Sequence, residues 1–296
     1  YRFSSPVEQI LCDANGVTGV VVKTLSGPQT VTGDWYIAAV PVERMQDLVS
    51  PALEKLDPGL ARVRMLAPYV GWMNGLQFYL TRPVPVVDGH VLYADAPWAL
   101  TSISQAQFWP HVNWSRYGDG RIRDCLSVDI SDWFAPGLNG KTAQDCTREE
   151  IVEEVWNQLR YSLNAGGVLR LSRDALHSWF LDPGIEFDPV TGKTTANRDP
   201  LLINEAGTWN LRPTATTRVP NLFLASDYVQ TNTDLACMEG ANEAARRAVN
   251  GILQRSGVQA MACRVWTLPE PGALELWRAR DRRRYREGLP WDATIF

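Results

Sequence analysis

Two short, uninterrupted apolar runs organise this chain. One is Leu222-Phe223-Leu224-Ala225 and the other spans Trp35 to Val40. Neither is long enough for a buried helix, and both suit strands covered on two faces, the Leu222 run as a parallel strand. Pro41 halts the earlier run, and a helix is expected from about Val42. After the later run come Asp227 and a polar, turn-rich passage. A helix then presents Gly240, Ala241, Ala244, Ala245 and Ala248, small enough for another backbone or a ligand to approach, and ends near Gly257 as a C-cap. Strand, acidic residue, polar loop and small-residue helix describe the edge of a doubly wound sheet. There the helix N-terminus offers unpaired N–H groups and partial positive charge.

The remaining pattern changes period along the chain. From Pro6 onward, a short strand, the Asn15-Gly16 turn, a second strand through Val20-Val21-Val22 and a third after Ser26-Gly27-Pro28 predict a small β-meander. Val70–Leu80, His90–Tyr93 and Cys125–Ile130 have strand composition and predict an antiparallel sheet. Thr147 and Glu150 form a capping-box pair ahead of Ile151, Val152, Val155, Trp156, Leu159 and Leu163, which fall on one helical face before Gly166-Gly167. Trp98–Trp109, rich in aromatics and hydroxyls, reads as a half-buried strand or a pocket wall. Beyond Gly257 the chain carries a basic stretch, Arg278 to Arg286, diluted by Asp281 and Glu287. It suits a solvated helix face, or contact with an acidic partner or an anionic membrane surface.

Composition narrows the function classes. Hydrophobic residues make up 45% of the 296, ample for a core. With 29 basic and 33 acidic residues the net charge is −4, which announces no nucleic-acid surface. Five scattered cysteines without a Cys-x-x-Cys pair, and three distant histidines, favour reduced thiols in a cytoplasmic protein over a disulfide framework or a metal site. No apolar run is long enough to span a bilayer, and the first residues do not read as a signal peptide. Twelve tryptophans stand out; most suit a bulky core, and a subset would line a cavity for a large apolar or aromatic substrate.

The Pro220–Leu253 segment resembles the C-terminal flavin-binding motif of the FAD-dependent amine oxidase and phytoene desaturase superfamily. In that motif a strand ending in Gly-Asp precedes a loop and a helix opening with Glu-Gly-Ala. The resemblance implies that Asp227 bonds the ribitol or pyrophosphate part of FAD, and that backbone N–H groups at Met238, Glu239, Gly240 and Ala241 face the flavin pyrimidine. Ser226 stands where the family usually has Gly, and Ala244-Ala245 where it often has Ser-Gly. A meander before a strand ending in Ala-x-Pro occurs in the same family. Val7 then matches the position that meets the adenine edge through its backbone, while Ala38, Ala39 and Pro41 pass close to the cofactor.

The implied architecture is α/β plus α+β. Residues 1–50 and 214–262 would form an incomplete, discontinuous, doubly wound FAD-binding domain. Residues 51–213 would form an inserted antiparallel-sheet substrate-binding domain, and 263–296 a C-terminal extension. The family's Gly-x-Gly-x-x-Gly turn is not found here, so the partner expected is a missing N-terminal half or a second chain carrying that turn. The chain is accordingly expected not to be a self-sufficient monomer, with exposed apolar edges on the strands after Val17, Trp35 and Leu222. The implied activity is FAD-dependent oxidation of a largely apolar or aromatic substrate at a C–C or C–N bond. Redox-neutral flavin-dependent isomerisation and a non-catalytic scaffold for an active flavoprotein remain open alternatives. No catalytic acid or base stands out.

Overall fold

The computed structural model describes residues 1–84, 86–269, 271–290 and 292. The backbone divides into two compact units, one built from Tyr1–Tyr69 with the chain from Asn204 onward, the other from Val70–Ile203.

The first unit opens with an antiparallel meander of β1 (Val7–Asp13), β2 (Gly16–Thr24) and β3 (Gly27–Val31). Gly16, at φ +137, closes the first turn, and a β-carbon there would meet the Asn221 side chain at 2.6 Å. Asn221 returns the contact, accepting the Val17 N–H and donating to its carbonyl, both at 2.8 Å. The meander is thereby tied to the start of a strand some two hundred residues on. Next come β4 (Tyr36–Ala38) and three short helices, α1 (Val42–Leu48), α2 (Pro51–Leu56) and α3 (Ala61–Leu66).

The second unit holds β5 (Val70–Gly71), β6 (Asn74–Leu80), β7 (His90–Leu92), β8 (Thr101–Ser104), β9 (Asp124–Ile130), α4 (Arg148–Leu163), β10 (Leu176–Leu181), β11 (Ile185–Phe187), β12 (Thr194–Asn197) and β13 (Leu201–Leu202). Five of the strands form an antiparallel sheet in the order β10-β6-β9-β8-β7. Along β6, Leu76, Phe78 and Leu80 are fully buried while Gln77 and Tyr79 between them are half-buried, the alternation of a one-sided sheet. The covered face packs on α4, with Phe78 and Trp156 meeting edge to face at 4.8 Å. The Thr147–Glu150 capping box is formed in both directions. The Trp98–Trp109 stretch is only partly strand: β8 takes Thr101–Ser104, and a 3-10 turn takes Gln105–Phe108. The buried Asp124 carboxylate enforces that turn by accepting from Ser104 Oγ at 3.0 Å and Ala106 N–H at 3.2 Å.

Returning to the first unit, β14 (Leu222–Leu224) pairs in parallel with β4, and α5 (Met238–Ser256) packs against it. Gly257 ends α5 at φ +69. Arg255, from the last turn of α5, donates to the carbonyls of Val219, Pro220 and Thr217 and stacks over the Phe223 ring at 4.9 Å. All three residues of β14 are buried, so the exposed apolar edge expected there is not found. Helix α5 and the Ala215–Thr216 segment, whose Ala215 carbonyl takes the Leu224 N–H at 2.8 Å, cover it. Likewise Val17 is buried, and β2 is paired on both sides. The exposed apolar edge is that of β4. Beyond α5 the segment from Val258 to Leu268 lies along the helix, followed by the exposed basic helix α6 (Glu275–Arg286).

Candidate functional site

Strands β4 and β14 run parallel and in register, Tyr36 beside Leu222, Ile37 beside Phe223 and Ala38 beside Leu224. One more bond, Ala225 N–H to the Ala38 carbonyl at 2.9 Å, extends the pair beyond its last ladder position. Ala39 and Pro41 on one chain segment, and Ser226 and Asp227 on the other, therefore emerge from the same carboxyl edge. In open α/β sheets that edge is where ligands bind. Pro41 turns the first segment directly into α1 as its N-cap residue, and Ser226 Oγ sits 3.1 Å from the Asp227 carboxylate.

The other residues singled out in the sequence fall nearby in the same unit but not all in one cavity. Val7, at the start of β1, joins Ile10, Trp35, Ile37, Ala39 and Leu222 in lining an apolar groove of about 250 Å³. Met238 and Glu239 open α5 and face a different depression of about 440 Å³, shared with Asn242, Arg246, Trp266 and Leu268. The helix start is capped by the Cys237 thiol, which accepts the Gly240 N–H at 3.4 Å. A thiol sulfur is a weak acceptor, and the Glu239 carboxylate in the first turn adds negative charge at the same end of α5. Gly240 lies under the Leu235 carbonyl, 2.6 Å from where a β-carbon would be, and Ala241 continues the helix.

The loop between Asp227 and α5 holds two buried hydroxyls, Tyr228 Oη and Thr231 Oγ1, without a hydrogen-bond partner among the described residues. Burial, and secondarily the Asp227 carboxylate, push the Tyr228 hydroxyl far above the ordinary tyrosine value, so it stays protonated as a donor. Beneath the loop, Arg212 is 2% exposed and donates to the Asp227 carbonyl at 3.2 Å. Sequence reasoning missed these three residues. A lone arginine, tyrosine or threonine in a polar stretch carries no spacing signal, and their burial appears only when distant segments meet.

In the second unit, Tyr79, Trp109, Val112, Trp114, Tyr117 and Ile122 line a cavity of about 520 Å³, within the range of small-molecule sites. Two of the twelve tryptophans, Trp109 and Trp114, thus line this cavity, while Trp98, Trp133 and Trp156 are fully buried in the core. Among the described residues no cluster of His, Cys, Asp and Glu could hold a metal, and no helix is long and apolar enough to cross a membrane. All five cysteines are free.

Residues 1–253 match the family model described as flavin containing amine oxidoreductase. The chain belongs to this family. No curated protein matches it as a relative. Among solved structures, an oxidoreductase from Methanosarcina mazei is similar at 13% identity and a TM-score of 0.45, over 84% of this chain and 49% of that one. A geranylgeranyl bacteriochlorophyll reductase-like protein from Thermoplasma acidophilum is similar at 12% identity and a TM-score of 0.38, over 95% of this chain and 54% of that one. This member of the amine oxidoreductase family therefore spans about half the length of either structure, and likenesses so distant carry no argument about what it does. Its family membership, together with the carboxyl edge at Ala39 and Asp227, bears on function.

Proposed function

We propose that this chain forms the ring-binding side of an FAD-dependent oxidoreductase that dehydrogenates a largely apolar or aromatic substrate. The observation that carries the reading is the convergence of Ala39, Pro41, Ser226 and Asp227 on one carboxyl edge of the β4–β14 pair. Tyr228 and Thr231, in the loop that follows Asp227, carry buried hydroxyls without a partner among the described residues, so polar hydrogen-bonding capacity is left over close to it in the chain. When bound, the flavin supplies hydride acceptance, and the protein's part is to bind, orient and tune it.

Each residue then has a physical task. The Asp227 carboxylate would accept hydrogen bonds from the ribityl chain, and the backbone N–H groups at the start of α5, Met238–Ala241, would donate to the pyrimidine oxygens. Val7 and Ala39, in their shared groove, lie against the apolar part of the nucleotide. The second unit has an aromatic-walled cavity of its own, with no charged side chain among its lining residues, a chemistry suited to an uncharged apolar molecule.

The reading includes a partner. Strand β4 pairs only with β14 among the described residues, and Ile37 within it and Trp35 just before it are 45% and 37% exposed. Two-stranded pairs are marginal alone. The β4 edge takes the remainder of a doubly wound nucleotide-binding domain with its Gly-rich turn, carried on the same polypeptide or on a second one. Five free cysteines suit the reducing cytoplasm.

The test is the flavin absorbance of the native protein, with and without Asp227→Ala. The wild type retains flavin and the variant loses most of it; equal flavin content in a folded variant would overturn the assignment. Anaerobic bleaching by candidate substrates then checks for net oxidation, as opposed to redox-neutral isomerisation.

A further inference from the structure

Arg212 is a buried cation held against the loop that follows Asp227. It reaches the Asn204 side-chain oxygen through Nη2, and the Asp227 carbonyl through Nη1 at 3.2 Å. Its Nη1 also lies 3.9 Å from the Asp234 carboxylate. Asn204 closes the cluster by donating to the Asp234 carbonyl at 2.7 Å. Asp234 itself sits at φ +44, in the left-handed region that aspartate adopts more readily than most non-glycine residues. One planar fork thus grips both ends of the 227–234 loop, with Tyr228 and Thr231 between them.

Removing a guanidinium from water costs several kcal/mol, and loop anchoring alone is within reach of a neutral amide. The charge is therefore informative. Arg212 faces Asp234, 54% exposed at its side chain, and the Asp227 carboxylate. Burial disfavours its charged form and these two carboxylates favour it, and an arginine stays protonated in such a balance. A flavin gains negative charge on reduction. With Asp227 alone beside it, that charge would meet an uncompensated carboxylate.

Resting on the flavin reading above, we propose that Arg212 is a positioning residue for the cofactor: its buried fork fixes the Asp227 backbone, and its charge offsets the Asp227 carboxylate in favour of the reduced ring. The experiment compares Arg212→Gln, Arg212→Lys and Asn204→Ala in the native full-length protein, with far-ultraviolet circular dichroism to check folding. Two quantities are read: hydrogen exchange at amides 227–234, and the midpoint potential of the bound flavin. Arg212→Gln speeds exchange at least tenfold and disfavours the reduced flavin about tenfold, a shift of about 30 mV for a two-electron couple. Asn204→Ala, which removes a neutral partner and leaves the charge, speeds exchange without moving the potential. Arg212→Lys holds the potential nearer to the wild type than Arg212→Gln does. Wild-type exchange and potential in a folded Arg212→Gln protein overturn the proposal while leaving the flavin assignment intact. Should Arg212→Gln fail to fold, wild-type exchange in both Asn204→Ala and Arg212→Lys overturns it. A native protein without flavin sinks the functional reading instead, and with it the offset on the ring; the exchange arm still decides the clamp.

Discussion

Gly240 passes so close beneath Leu235 that a β-carbon on it would stand 2.6 Å from the Leu235 carbonyl oxygen. The obstructing atom is backbone and cannot swing away as a side chain would. The residue after Glu239 is thus small because the 231–237 loop folds back onto the first turn of α5. Gly240→Ala is expected to cost about 1–3 kcal/mol through overpacking and to displace that loop. Denaturant unfolding reads the stability, and the rate of flavin release from the folded protein reads the loop. A variant with wild-type values for both would show that the loop yields freely.

Gly251 provides the contrast on the same helix. A methyl group there would lie 2.7 Å from both the Phe223 ring and the Thr216 hydroxyl, where α5 crosses β14. Gly251→Ala is expected to destabilise by a similar amount, about 1–3 kcal/mol. Because the contact is three turns from Met238, flavin bound per folded molecule should stay at the wild-type level. Loss of flavin at temperatures where the variant is folded would mean that helix placement, not the loop, governs the site.

Thr147 caps α4 by accepting the Glu150 N–H at 3.3 Å, and Glu150 returns the bond to the Thr147 N–H at 3.0 Å. Thr147→Ala removes one half of this exchange and is expected to cost about 1 kcal/mol. The midpoint of chemical denaturation should fall with the slope unchanged.

That cap shows which parts of the fold could be read in advance. The Thr147–Glu150 pair, the Asn15-Gly16 turn, the Pro41 stop before α1 and the Gly257 cap are local, each decided within four or five residues. The Leu222 run was legible for the same reason, since burial on both faces leaves an unbroken apolar stretch. Where distant segments decide, the pattern misleads. The apolar run Trp35–Val40 shrinks to Tyr36–Ala38 because only those residues find partners on β14. Trp98–Trp109 breaks into strand and 3-10 turn because Asp124, from another strand, captures the Ala106 N–H. Arg212, between Leu211 and Pro213, reads as a surface charge, and its burial depends on Asn204, Asp227 and Asp234 arriving from elsewhere. The candidate site was therefore legible at Asp227 and Gly240 and illegible in what supports them.

Glu243 links the same loop to α5 and makes the site sensitive to acid. It accepts the Asn232 N–H at 2.8 Å, the Thr233 hydroxyl at 3.3 Å and the Arg247 guanidinium at 2.8 Å. Burial alone would raise its pKa, but the bonds from Asn232 and Arg247, with the charge of Arg247, outweigh it and leave the carboxyl below the ordinary glutamate value. A depressed folded-state value means that the stabilisation is present above the unfolded-state pKa, about 4.3, and is lost as pH falls through the folded one. Glu243→Gln should accordingly lower stability at pH 7 by about 1–3 kcal/mol, with the gap to wild type closing below about pH 4. Urea unfolding of both proteins across that range checks the sign. A gap that widens on acidification would contradict it.

The segment after α5 is held as a bound peptide would be. Asn250 donates to the Cys263 carbonyl at 2.9 Å and accepts the Cys263 N–H at 2.7 Å, reproducing with one side-chain amide the pair of bonds that a neighbouring strand would make. Asn232 donates to the Trp266 carbonyl at 2.8 Å, and the Trp266 ring lies under the guanidinium groups of Arg246 at 4.8 Å and Arg264 at 5.3 Å. These contacts order about ten residues against one helix face without burying a large apolar side chain, so they define a local opening rather than a part of the global core. Asn250→Ala removes both amide bonds and is expected to raise the open population by about 1–2 kcal/mol, or roughly 5- to 30-fold. Tryptic cleavage after Arg264 under native conditions should accelerate by that factor, while the global unfolding midpoint barely moves. Equal acceleration together with a large drop in the midpoint would instead make the segment part of the cooperative core of α5 and β14.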